Sequence, residues 1–144
     1  MKCIYGIFIG LLLIANSTLS GQNLNDDFLY GFLQGRYQLI GKKVTSDSTY
    51  YGQMEMVMEN GHLKIIRTIN SKAVKGTGQI AYATADSIAV LRCQFREDDQ
   101  TYEATYQIDT DLDNYARLSG YVYVKNKPTP QPGLEAVFFD KSQF

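Results

Sequence analysis

The sequence predicts an all-β protein: an eight-stranded antiparallel up-and-down barrel preceded by one short helix. The stretch 49–82 carries most of that expectation, because Met54, Met56 and Met58 alternate with Gln53, Glu55 and Val57 at the period of a half-buried strand. Asn60-Gly61 then tolerates the positive φ angles of a type I′ turn, so the run with Leu63, Ile65 and Ile69 on one face should pair back on the Met strand. The third observation is that short runs of similar kind, joined by short polar links, continue to the end of the chain. Two strands cannot bury an apolar face alone, and closing a meander of eight removes both exposed edges.

The elements follow in order. Asn25-Asp26-Asp27 stands before Phe28, Leu29, Phe32 and Leu33, a capping candidate and first-turn acids ahead of apolar residues at helical spacing. This predicts an amphipathic helix ending near Gly35, with Phe28 and Phe32 turned into one end of the barrel. Strands are expected at 36–43, over the stretch 49–82 as three consecutive strands with the third at 73–83, and at 88–96, 102–108, 115–125 and 133–140. Gly76 and Gly78 share one face, where missing side chains allow a curved sheet or leave interior space. The inward set is expected to include Met54, Met56, Gly78, Val90 and Ala136. Pro128 to Pro132 makes a stiff connection that shapes a rim.

Residues 1–20 are different material. Lys2 supplies a positive start, 4–15 an apolar segment of about a dozen residues and 16–20 a short polar end, the pattern of a cleaved secretory signal. That segment is short of the ~20 residues that span a bilayer, and Gln22 stands where a lipid-bearing Cys would be needed, so no stable membrane anchor is expected. The expected organisation is a signal over 1–20, the helix within 21–35 and one barrel domain over 36–144. The expected location is secreted or periplasmic.

Composition narrows function by exclusion. With 44% hydrophobic and 20% charged residues in 144, the chain can build a core without metal or disulfide. A formal charge of −1 gives no basic footprint for nucleic acid. Once the leader is removed, Cys93 is alone and has no internal disulfide partner, which reads as a packed small apolar residue. His62, the single histidine, follows a turn, and no nucleophile–base arrangement assembles around it. Asp109-x-Asp111-x-Asp113-Asn114 echoes the start of a calcium loop, but its twelfth position falls on Gly120, so it reads as a hydrophilic hairpin loop. No cofactor motif is present.

Tyr50-x-Gly52, Gly76-Thr77-Gly78, Asp86-Ser87-Ile88-Ala89-Val90, Leu118-Ser119-Gly120-Tyr121 and Gly133-x-Glu135, in this order, resemble the calycin class of small barrels. That class includes the lipocalin-like and avidin-like proteins. Gly35-Arg36-Tyr37 is similar to the Gly-x-Trp opening of lipocalins, with Tyr in place of Trp. The resemblance implies a barrel with one open end that holds a small apolar ligand or meets a protein partner, and it carries no catalytic residues.

Candidate ligand-binding residues come from the residues themselves. Arg67 and Arg92 each share an alternating face with apolar neighbours, and a buried guanidinium needs an internal acid or an acidic ligand head group. Met54 and Met56 supply adaptable apolar walls, and Tyr82 and Tyr106 aromatic ones. The leading expectation is an exported, non-enzymatic barrel binding a small apolar or amphipathic molecule. The alternative is a protein-interaction module, an adhesin-like or inhibitory barrel acting through its outer face or loops.

Overall fold

The computed structural model describes residues 24–110 and 116–143. The expected signal over 1–20 and the Asp111, Asp113 and Asn114 positions of the expected acidic loop lie outside the described residues. Helix α1 (Leu24–Leu33) leads into strands β1 (Gly35–Lys42), β2 (Thr49–Glu59), β3 (His62–Ile69) and β4 (Lys72–Ala83). Strands β5 (Ile88–Glu97), β6 (Gln100–Thr110), β7 (Ala116–Val124) and β8 (Gly133–Phe139) follow, with a short 3-10 turn at Lys141–Gln143. The eight strands pair in sequence order and close into a barrel, all neighbours antiparallel. Closure comes through β1, where Leu39 pairs with Gly52 of β2 on one side and Val137 of β8 on the other.

The expected hairpin is present. Asn60 and Gly61 have φ of 53° and 80°, and Glu59 pairs with His62 across them. Glycine carries the second of these angles without the Cβ penalty. Met54, Met56, Leu63 and Ile65 are buried on the inner face, whereas Gln53 and Val57 are exposed.

Two strands take the opposite phase from the one expected. In β5 the inner residues are Leu91, Cys93 and Phe95, so Arg92 stands exposed on the outer surface and Val90 packs outside the core cluster. In β8 the inner residues are Gly133, Glu135 and Val137, and Ala136 lies on the outer face between exposed Leu134 and Phe138. Both strands have apolar residues on each face, so alternation does not choose between phases. Packing chooses in β5, where the larger apolar set takes the core and a guanidinium is left in water.

One end of the barrel is packed solid under α1. Leu33 is fully buried there, the Tyr37 hydroxyl donates to its carbonyl oxygen at 2.8 Å, and the Ile80 N–H donates to the Tyr30 hydroxyl at 3.1 Å. The helix enters through Tyr30 and Leu33, not through Phe28, which is 69% exposed and stacks on partly buried Phe32. Gly78 lies in the same filled region, since a Cβ there would meet Ile65 Cδ1 at 2.8 Å and Leu91 Cδ1 at 3.2 Å. The interior space expected at this glycine is occupied by its neighbours.

Candidate functional site

The opposite end is open. It is formed where β1 runs into β2, β3 into β4, β5 into β6 and β7 into β8. The Thr45 N–H donates to the Gln131 carbonyl at 3.0 Å, which fastens the proline-containing connection after β7 to the β1–β2 loop. A cavity of about 410 Å³ opens at this end, with Val44, Ile69, Phe95, Tyr102 and Val122 among its walls and Tyr50 and Arg67 deeper in. Phe95 and Tyr102 stack with ring centroids 5.5 Å apart and planes 18° apart.

The inner part of this space is built around Glu135. Its side chain is completely buried, that of Arg67 is 3% exposed, and the guanidinium Nη2 of Arg67 donates to Glu135 Oε1. The Tyr50 hydroxyl donates to the same oxygen and the Tyr106 hydroxyl to Oε2. Strand register explains why two tyrosines reach one carboxylate. Glu135 pairs with Gly41 on one side and Gly120 on the other, and beyond these glycines stand Tyr50 and Tyr106 respectively. A Cβ on Gly41 would strike the Tyr50 ring, and one on Gly120 would strike the backbone of Thr105 and Tyr106. The glycines are the gaps across which the tyrosines lean.

Arg67 reaches Glu135 from β3, across the barrel interior. Its guanidinium carbon lies 3.8 Å from the centroid of the Phe95 ring, a cation–π contact in a desolvated setting. Its Nε is the single buried side-chain nitrogen or oxygen among the described residues without a hydrogen-bond partner. Desolvation disfavours the charged guanidinium, but Glu135, with smaller contributions from Tyr106 and Tyr50, outweighs it and raises the pKa of Arg67. Burial first and the Glu135 charge second push the hydroxyls of Tyr50 and Tyr106 well up, so both remain protonated donors. Cys93 is free and buried, and the same two causes push its thiol up, away from thiolate chemistry.

The structure brings together Arg67 and Tyr106 of the sequence-predicted site and separates the rest. Arg92 is on the outer wall, between Gln79 and Thr105 in the register. Tyr82 is 42% exposed at the helix end, where its hydroxyl donates to Asp26. Met54 and Met56 are 1% and 0% exposed within the packed core and are not walls of the open cavity. They lie inward as their alternation requires, but large neighbours such as Tyr37 and Leu63 fill the space they were expected to line. Sequence reasoning missed Glu135, Tyr50 and Phe95. The signal for Glu135 was Arg67 itself, whose burial demands an acid, but the sequence does not show which acid shares the interior.

His62 is at the β2–β3 turn, at the helix end and remote in register from the open cavity. Among the described residues, no group of three or more His, Cys, Asp or Glu side chains converges as a metal site. No helix among them is long and apolar enough to cross a membrane. Comparison with protein-family models and with curated proteins finds no match to the chain.

Proposed function

We propose that this protein is an exported, non-enzymatic, lipocalin-like barrel that holds a small apolar or amphipathic molecule in the mouth opposite its helix. The observation that carries this reading is the cavity at the open end, with aromatic and aliphatic side chains among its walls, charged Lys43, Lys72, Glu97 and Asp98 also lining it, and an ordered polar constellation at its inner end. That combination is typical of small-molecule sites, where apolar surface supplies affinity and a few placed polar groups set orientation. An eight-stranded barrel is also about the size that holds one small ligand. The non-enzymatic reading is supported by the state of the inner groups: both Glu135 oxygens are already engaged, the tyrosine hydroxyls are poor acids and the Cys93 thiol is a poor nucleophile. Export is supported by the composition of residues 1–20.

The test is titration with an apolar fluorescent probe, 1-anilinonaphthalene-8-sulfonate being too charged and N-phenyl-1-naphthylamine suitable. Saturable binding to one site is expected, lost in Ile69→Trp, which fills the mouth, and kept in Phe28→Ala at the other end. Binding that survives Ile69→Trp, or none that saturates, moves the reading to a protein-interaction module. One observation favours that second reading: Tyr51, Ile40, Leu134, Phe138 and Tyr121 are all 39% to 70% exposed on the outer face of neighbouring strands β2, β1, β8 and β7.

A further inference from the structure

The mouth also carries information about the polarity of its occupant. Resting on the ligand-binding reading above, we infer that the inner end of the ligand is an uncharged hydrogen-bond acceptor, such as a ketone, amide, ester or alcohol oxygen, and that carboxylate-headed molecules are rejected.

Charge balance is the first reason. The buried cation Arg67 and the buried anion Glu135 compensate one another, so the inner wall has no net charge to attract an anion. A ligand carboxylate beside Arg67 would also lie beside Glu135, and two carboxylates sharing a desolvated site cannot both ionise without a large penalty.

The hydrogen bonds already made at the inner end are the second. An anion out of water needs several donors, yet the hydroxyls of Tyr50 and Tyr106 and the Nη2 of Arg67 are already committed to Glu135. Among the fully buried donors of the described residues, the one without a partner is the Arg67 Nε–H, on a residue that forms part of the cavity wall. A buried donor left unmade carries a desolvation cost that one acceptor oxygen relieves. A neutral oxygen can relieve it without placing a second negative charge beside Glu135.

At the rim, Lys72 is occupied by Asp98 at 2.6 Å and Glu97 at 3.6 Å, which leaves Lys43 as the cavity-lining cation without an ion pair among the described residues. Lys43 is exposed, so a charge placed there is screened by solvent and contributes little to choosing between head groups. Discrimination therefore belongs to the inner end.

The experiment compares decyl methyl ketone with undecanoic acid, which carry a methyl or a hydroxyl on the same carbonyl and have the same chain, by calorimetry with the wild-type protein. Near pH 7 the ketone should bind at least about tenfold more tightly. As pH falls toward ~5 the acid should gain about tenfold per unit, because only its protonated form is accepted and free carboxyls titrate near pH 4. The ketone serves as the control for any effect of pH on the protein itself, and its affinity should stay flat. Glu135→Gln leaves Arg67 uncompensated and should reverse the preference toward undecanoate. Should that variant fail to fold, as judged by circular dichroism, the wild-type pH profile decides alone. Undecanoate binding as tightly as the ketone near pH 7, or a folded Glu135→Gln that still prefers the ketone, overturns the inference and leaves the ligand-binding reading standing. Binding of neither probe overturns both.

Discussion

Arg67 is the residue at which the cost of burial and the use of burial meet. An ion pair out of water is held by geometry and by satisfied hydrogen bonds more than by Coulomb attraction alone, and Glu135 has three donors where a bare pair would have one. Removing one partner is therefore much worse than removing both. Arg67→Met strands the Glu135 carboxylate and should cost about 3–5 kcal/mol in urea melts, whereas Arg67→Met combined with Glu135→Leu should recover most of that loss. Arg92→Met is the matched surface control and should change stability by less than about 0.5 kcal/mol, since its guanidinium is on the outer wall. Equal losses at the two arginines would contradict this account of the interior. Asn60-Gly61 was fully legible in the sequence because a turn is a local device. Glu135 was not, because its partners come from β2, β3 and β6.

Helix α1 shows the same contrast at the scale of an element. Its existence was legible from apolar spacing behind two acids, but its rotation about its own axis was not, since Phe28, Leu29, Tyr30, Phe32 and Leu33 leave little of it polar. Docking selects the side with Tyr30 and Leu33, where Tyr30 also accepts the Ile80 N–H that the barrel end would otherwise leave unpaired. Leu33→Ala should cost about 2–5 kcal/mol through the cavity it opens. Phe28→Ala should be neutral within about 0.5 kcal/mol. Chemical denaturation of the two variants side by side checks the docking, and the reverse order of effects would mean that the helix is seated on its phenylalanine side.

For the whole molecule, closure means that stability is shared and that buried titrating groups report on the entire barrel. Burial raises the pKa values of Tyr37, Tyr50 and Tyr106 above the ordinary tyrosine value of about 10, so above that pH the unfolded chain releases protons that the folded barrel retains. Their contribution is complete below pH ~10 and is lost as pH rises toward the raised folded values. Cys93 adds a loss in the same direction that begins nearer ~8.5. The check is tyrosinate absorbance followed together with circular dichroism. Tyr37, Tyr50 and Tyr106 should ionise only as the barrel signal disappears. A single titration of all tyrosines in a folded barrel would contradict the burial described here.

By itself the sequence determined the class of fold, the approximate limits of the strands, the tight turn at Asn60-Gly61 and the inward phase of β2 and β3. In those strands one face is distinctly more apolar than the other, so burial has one best answer and local alternation reveals it. Tertiary structure decided the phase of β5 and β8, the seat of α1, the filled space around Gly78 and the meeting of Arg67 with Glu135, Tyr50 and Tyr106. Both faces of these two strands carry apolar residues, so alternation leaves the choice to what the neighbouring strands bring against them. Register across Gly41 and Gly120 then sets two tyrosines on one carboxylate, and pairing between residues far apart in the chain leaves no periodicity within any one strand from which to read it.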